Sequence, residues 1–377
     1  MADTLIKVPQ GGDFQLLRFP IEKQEKLRAW DAADEYLLND VAAKITTANA
    51  RILLVNDSFG ALAVALHKFK PCVVTDSYIA QVATQENLRL NQINANDVQL
   101  FDSINLPTQQ FDYILIKSPK TLAFFEDLLI RLQKNLTVNT QVIVAGMVKN
   151  MPNSIWQTLA RLIGATTPSK AVKKARLIYA TPDVAREIPV NPYPTCYQLE
   201  ETEYQICNHA NVFSRQQLDI GTRFFLQHLP ANNKYQQVVD LGCGNGVVGL
   251  IFAAKNPAAT LHFVDESFMA VASAQQNFKL AFEQRSASFK ASDALADFAP
   301  DSVDLILCNP PFHQQNTIGN HIAMRMFKQA AQILSVDGEL WVIGNRHLGY
   351  QGSLKQYFSK VELVAANAKF MILKAAN

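Results

Sequence analysis

No stretch of 18 consecutive apolar residues occurs in this chain of 377 residues, so no segment reads as a membrane-spanning helix. The start, Met1 to Phe14, carries Asp3, Lys7 and Asp13 and lacks the apolar core of a secretory signal. A cytoplasmic location without a membrane partner is therefore expected. Cysteine is scarce. Cys72, Cys196, Cys207, Cys243 and Cys308 are odd in number and show no C-x-x-C spacing, which argues against a disulfide framework and a zinc site. All five are expected to be reduced packing residues, and no metal is expected. With only 15 Gly and 16 Pro, the chain is neither collagen-like nor of low complexity, and 49% hydrophobic residues exclude a disordered class.

Acidic residues are missing from one stretch in particular. Between Leu128 and Pro182 lie Arg131, Lys134, Lys149, Arg161, Lys170, Lys173, Lys174 and Arg176 with no Asp or Glu, although the whole chain is only +2. If these cations share a face they can neutralise phosphates; scattered over several elements they are ordinary solvated side chains. The cluster Lys170, Lys173, Lys174 and Arg176 is the candidate phosphate contact.

Four prolines, Pro182, Pro189, Pro192 and Pro194, fall within thirteen residues that suit neither a helix nor an inner strand. They suggest a linker at 182–195 between domains 1–181 and 196–377. On both sides, β-branched runs alternate with helical stretches, the signature of βαβ units and a parallel sheet. The halves also match in order. Phe59-Gly60-Ala61 parallels Asn245-Gly246-Val247, Asp76-Ser77-Tyr78 parallels Glu266-Ser267-Phe268, and Asn87 meets Asn277. Further on, FDYILIKSPK parallels VDLILCNPPF, and LTVNTQVIVAG parallels LSVDGELWVIG. Slowly growing offsets indicate one duplicated α/β domain.

The copies differ in chemistry. Asp240-Leu241-Gly242-Cys243-Gly244-Asn245-Gly246 follows an apolar strand and opens a helix, where alternating glycines let a ligand approach the backbone. Its counterpart reads Val55-Asn56-Asp57-Ser58-Phe59-Gly60. Asp265 closes the next strand, where a carboxylate can accept ribose hydroxyls. Gly244 to Gly249 also reads as G-x-G-x-x-G, so a nicotinamide-binding domain must be weighed. Two features favour S-adenosylmethionine: Asp240, placed to meet the cationic methionine amino group, and Asn309-Pro310-Pro311-Phe312 at the end of the strand Val303 to Cys308. Asp293 is a candidate acceptor for an adenine amine. In the tetrapeptide, the Asn309 side-chain oxygen and the Pro310 carbonyl can converge on one amino group while Phe312 stacks on a planar base. His313, Gln314 and Gln315 can touch its edge. In the N-terminal half these positions hold Lys117-Ser118-Pro119-Lys120, so one copy kept a chemical site and the other lost it.

The segments NHANVFSRQQLDIGTRFFLQHLP, VVDLGCGNGVVGL, FVDESFMAVAS and LCNPPFHQQ, with AWDAADEYLL and LLVNDSFGAL in the first half, resemble the ribosomal RNA guanine-N2 methyltransferases of the RlmG/RsmC family. The resemblance covers essentially the whole chain. It implies two tandem Rossmann-like class I methyltransferase domains, the N-terminal copy degenerate and used for RNA binding. It also implies transfer from S-adenosylmethionine to the N2 amino group of one guanine in 23S ribosomal RNA. By position, the family's glycine loop falls on Gly242, Gly244 and Gly246, its ribose-binding acid on Asp265 and its catalytic tetrapeptide on Asn309 to Phe312. The same reaction on 16S RNA and protein glutamine-N5 methylation are the alternatives.

Overall fold

A computed structural model of the chain describes residues 3–9, 11–21, 25–47, 49–232, 234–311 and 317–377. The chain divides into two compact units, Met1–Tyr193 and Pro194–Asn377.

The first unit begins with a hairpin of β1 (Leu5–Val8) and β2 (Gly12–Gln15), followed by α1 (Ala32–Lys44). Then come β3 (Ile52–Val55), α2 (Ala61–Ala65), β4 (Cys72–Thr75), α3 (Tyr78–Leu90), β5 (Gln99–Asp102), β6 (Tyr113–Lys117), α4 (Leu122–Arg131), β7 (Gln141–Met147), α5 (Asn153–Leu162), β8 (Thr166–Pro168) and β9 (Ala175–Ala180). The seven strands β3 to β9 form one sheet in the order β5-β4-β3-β6-β7-β9-β8. Strand β9 runs antiparallel to both β7 and β8, while the other pairings are parallel.

The second unit repeats this plan. A hairpin of β10 (Thr195–Gln198) and β11 (Gln205–Asn208) leads to α6 (Ile220–Leu226), β12 (Gln237–Leu241), α7 (Val247–Lys255), β13 (Thr260–Asp265) and α8 (Phe268–Ala281). Strands β14 (Ser288–Ala291) and β15 (Val303–Cys308) precede α9 (Thr317–Ile333), β16 (Leu334–Asn345), α10 (Tyr350–Leu354), β17 (Lys360–Ala366) and β18 (Phe370–Ala376). Its sheet order is β14-β13-β12-β15-β16-β18-β17. The two sheets thus share one order and one antiparallel final pair.

The central strands are apolar on both faces because helices cover both. Ile52 and Leu54 of β3 belong to one half-core and Leu53 and Val55 to the other; Val238 and Val239 of β12 divide in the same way. A pleat of period two makes this division automatic. Each such side chain contributes roughly 1.5–3 kcal/mol when buried.

The duplication is visible in hydrogen bonds as well as in order. In α3, buried Asn87 donates to the Leu17 and Phe59 carbonyls (2.9 and 2.8 Å) and accepts from the Leu17 N–H (2.9 Å). In α8, buried Asn277 donates to the Cys207 and Asn245 carbonyls (both 2.9 Å) and accepts from the Cys207 N–H (2.7 Å). A side-chain amide with three bonds to the same three backbone groups in both halves is a far more specific match than a shared apolar strand. Ser77 and Ser267 likewise cap their helices by accepting from Ala80 and Ala270 (3.1 Å each).

Two sequence expectations need correction or refinement. Cys196 and Cys207 are not reduced packing residues: they form a disulfide. They lie directly opposite one another in the β10–β11 register, with Cα atoms 4.0 Å apart. Hairpin pairing creates that proximity, and a separation of eleven residues does not announce it. Cys72, Cys243 and Cys308 are free and buried. The proline-rich segment, expected as a linker, is instead strapped to the first unit over most of its length. Asp183 N–H donates to the Ile163 carbonyl (2.8 Å), Arg186 to the Arg161 carbonyl (2.8 Å), and Asn191 to Asp127 (2.7 Å). Prolines remove backbone donors, so side chains make most of these attachments.

Among the described residues, no helix is long and apolar enough to cross a membrane.

Candidate active site

In the second unit, β12 and β15 are parallel neighbours, with Leu241 opposite Cys308. The residues that follow, Gly242 and Asn309, therefore leave the sheet side by side. A Cβ built on Gly242 would lie 4.0 Å from the Asn309 carbonyl oxygen. This is the crevice beyond the strand carboxyl ends where a doubly wound sheet receives ligands.

The glycine loop adopts the left-handed region three times, at Gly242 (φ +68°), Gly244 (φ +55°) and Gly246 (φ +78°). The three are not equivalent. A Cβ on Gly246 would meet Ala274 of α8 at 2.8 Å, so this glycine lets α7 and α8 pack closely. A Cβ on Gly244 would meet nothing within 4 Å. Packing does not require its smallness; its left-handed φ favours glycine, and the space beside it is open.

Asp265 ends β13. One carboxylate oxygen accepts the Gly244 N–H (2.9 Å) and the other the Ser267 N–H (3.0 Å), which fixes the plane of the group. Asp240 lies deeper. It is 2% exposed, and its Oδ2 accepts the Gly249 N–H (2.8 Å). Burial pushes its pKa up to about 8, opposed by the Gly249 bond and reinforced by the nearby Asp265 charge. Asp240 is thus anchored under the loop as part of the scaffold that carries it. Asp293, just beyond β14, forms an ion pair with Arg325 of α9. Burial raises its pKa while Arg325 opposes that. The adenine contact expected for Asp293 would have to share the carboxylate with this guanidinium. Sequence reasoning missed Arg325, and nothing in the local pattern marks it.

Asn309 is half-buried and Pro310 buried, while Pro311 is exposed. The Asn309 amide nitrogen donates to Thr222 Oγ1 (2.9 Å), and its oxygen is shielded from water with no partner among the described residues. A buried acceptor left without a donor costs roughly 1–3 kcal/mol. An acceptor held free at a crevice is what an incoming N–H group requires. Phe312, His313, Gln314 and Gln315 lie outside the described residues.

The loop is fastened from behind. Asn245 Nδ2 donates to Asn208 Oδ1 (2.9 Å), its Oδ1 accepts the Val247 N–H (3.2 Å), and its carbonyl takes the Asn277 bond already described.

The corresponding crevice of the first unit is filled by its own side chains. Lys117 stands at the position of Asn309 and makes ion pairs to Asp31 (2.9 Å) and Asp34 (2.6 Å). Burial pushes Asp34 up to about 6, and Lys117 opposes the rise. Burial works against the Lys117 charge, but the two carboxylates hold its pKa above the ordinary value. Asp57 accepts the Ala61, Leu62 and Ala63 N–H groups (3.0, 2.9 and 2.9 Å), saturating the start of α2. Asp76 accepts the buried Ser103 hydroxyl (2.5 Å).

Of the basic cluster, Lys170, Lys173 and Lys174 are exposed around the turn before β9, and Arg176 is half-buried within that strand. Lys173 is paired with Glu35 of α1 (2.9 Å), an exposed contact worth about 0–1 kcal/mol and readily exchanged.

A seven-stranded sheet with a reversed final strand, a left-handed glycine turn at its centre and Asn-Pro-Pro at the neighbouring strand end define a Rossmann-like methyltransferase. Comparison with known proteins agrees. The model of the RLMG N-terminal domain matches residues 6–184, and that of the methyltransferase small domain matches residues 203–374. The ribosomal RNA large subunit methyltransferase G of Pseudomonas paraeruginosa is 49% identical, covering 96% of each chain. That of Ectopseudomonas mendocina is 48% identical, covering 96% of this chain and 97% of the relative. The chain belongs to the ribosomal RNA large subunit methyltransferase G family. Its fold matches the Thermus thermophilus 16S rRNA N2 G1207 methyltransferase, solved with S-adenosylmethionine and guanosine. That match has a TM-score of 0.75 at 19% identity and covers 99% of this chain and 98% of that one.

Proposed function

We propose that this protein methylates the exocyclic N2 amino group of one guanine in 23S ribosomal RNA, with S-adenosylmethionine as donor. Family membership supports the substrate class, and the unpartnered Asn309 oxygen beside the glycine loop carries the choice of an amino group as acceptor. Gly242, Gly244, Gly246 and Asp265 would hold the cofactor, and the open space at Gly244 fits it. When bound, the cofactor supplies an electrophilic sulfonium methyl. Asp265 places negative charge beneath that cation, while Asp240, buried with its pKa raised to about 8, supports the loop from below.

The exocyclic amine of guanine is a poor nucleophile because its lone pair is delocalised into the ring. Asn309 Oδ1 and the Pro310 carbonyl would accept its two hydrogens, favouring the pyramidal nitrogen that attacks in line. The two prolines stiffen the backbone that carries them. Phe312 would stack on the base, a contribution of roughly 1–3 kcal/mol. The proton leaves after transfer, so no strong base is needed. Asp293, tied to Arg325, would meet the adenine end.

The first unit, with Lys117 and Asp57 filling its crevice, would serve RNA binding through Lys170, Lys173, Lys174 and Arg176. Neutralising these four together should weaken RNA binding and flatten its salt dependence.

The test is mass-spectrometric mapping of N2-methylguanine in 16S and 23S RNA from cells with and without the gene. One N2-methylguanine missing from 23S supports the proposal; loss from 16S, or from neither, overturns it. Asn309→Ala should abolish transfer while S-adenosylhomocysteine still binds, and unchanged turnover would remove Asn309 from the mechanism.

A further inference from the structure

A side-chain amide presents an acceptor on one side and a donor on the other, so the role proposed for Asn309 depends on which way it is turned. The structure contains a device that sets this. Asn309 Nδ2 lies 2.9 Å from Thr222 Oγ1, and the same hydroxyl lies 3.3 Å from Asp219 Oδ2. A hydroxyl has one hydrogen to give, and a carboxylate can only accept it. With that hydrogen directed to Asp219, the side of Thr222 facing Asn309 is a lone pair, and only the NH2 end of the amide can satisfy it. The oxygen is thereby turned away from Thr222, which is where it is found, shielded and unpartnered among the described residues.

The carboxylate that imposes this order is itself fixed. Asp219 caps α6, and its Oδ2 also accepts the Thr222 N–H at 2.8 Å. Directly before Thr222 stands Gly221, where a Cβ would come within 3.0 Å of Asp219 Oδ2 and 3.1 Å of the Phe370 ring. Helix cap, hydroxyl and amide form one directional chain from Asp219 through Thr222 to Asn309.

We propose that Asp219 and Thr222 are positioning residues for methyl transfer, holding the Asn309 amide with its oxygen toward the substrate amine. Without the hydroxyl the amide has no preferred sense, and in the reversed sense it presents N–H groups to N–H groups. This rests on the catalytic role proposed for Asn309.

Two measurements test it, only one of which depends on the RNA substrate. In protein labelled with 15N-asparagine, the Asn309 side-chain signal is assigned by its disappearance in Asn309→Ala. Thr222→Val, which keeps the shape and removes the hydroxyl, should shift that signal. Thr222→Ser should restore it. In single-turnover and steady-state assays on 23S RNA, Thr222→Val should lower kcat on the order of 10- to 100-fold. KM for RNA and affinity for S-adenosylhomocysteine should stay within about twofold, and Thr222→Ser should recover most of the rate.

An unmoved amide signal in Thr222→Val overturns the proposal, as does full kcat in that variant or a loss confined to cofactor affinity. Equal damage from Thr222→Ser and Thr222→Val also overturns it, because a merely structural role predicts that result. If the wild-type protein methylates no ribosomal RNA while the amide signal responds as expected, the functional reading falls and the positioning chain stands.

Discussion

The three glycines of the loop look alike in sequence and should behave differently when a methyl group is added. At Gly246 an alanine Cβ would lie 2.8 Å from the Ala274 Cβ and 3.0 Å from its Cα. The obstacle is the backbone of α8, which cannot turn aside as a long side chain can. Overpacking of this kind costs about 1–3 kcal/mol, and a non-glycine residue held in the left-handed region adds about 1–2 kcal/mol. Gly246→Ala should therefore destabilise the second unit by roughly 2–5 kcal/mol. Gly60, its counterpart at the same φ of +78°, would place a Cβ 2.8 Å from the Thr84 Cα. It should weaken the first unit by a similar amount. At Gly244 only the backbone cost of about 1–2 kcal/mol applies, since the Cβ meets nothing within 4 Å. That Cβ would instead stand where the cofactor approaches, and affinity should fall on the order of tenfold or more, which is 1.4 kcal/mol per decade. Urea unfolding gives the stabilities, and calorimetric titration with S-adenosylhomocysteine gives the affinities. If Gly244→Ala binds like wild type, or Gly246→Ala is as stable as wild type, the division of the loop into ligand-facing and packing glycines is wrong.

The pKa of Asp240, raised to about 8, makes a linkage prediction. The folded chain keeps a proton that the unfolded chain releases near pH 4, so stability falls as pH rises through the window from about 4 to about 8 and levels above it. Asp240→Asn should flatten this part of the profile; an unaltered difference between urea midpoints at pH 5.5 and pH 8 would show that Asp240 does not contribute it. In the first unit, Lys117→Met leaves Asp31 and Asp34 without their shared cation and should cost about 3–5 kcal/mol. A loss below about 1 kcal/mol would mean the cluster is relaxed by water or protonation. Asn277→Ala strips three bonds from buried backbone groups and should destabilise its unit by roughly 3 kcal/mol, and Asn87→Ala, whose three partners are partly buried, should cost its unit somewhat less. Partial proteolysis that follows one unit at a time would reveal an effect that fails to stay within it.

Much of this architecture was readable in the residues because periodicity and backbone chemistry are local properties. Apolar runs such as Ile52-Leu53-Leu54-Val55 and Val238-Val239, bounded by turns, read as strands covered on both faces. Left-handed φ values select Gly242, Gly244 and Gly246, and paired prolines mark a stiff strand exit at Asn309. The order of these motifs in two halves exposed the duplication before any contact was known. What the sequence could not contain is which distant groups share a hydrogen bond or a space. Cys196 and Cys207 became partners through hairpin register, and the proline-rich segment became a strap because Asp127 and the end of α5 lie beside it. Asp240 is buried with its carboxylate on the Gly249 N–H, and Asp293 is paired with Arg325 of α9. Gly244 and Gly246 separated only when the space beyond each could be measured. Strand and turn propensities act over a few residues and are written in the chain, whereas the surroundings of a side chain are assembled from segments far apart in it, and tertiary packing alone decides them.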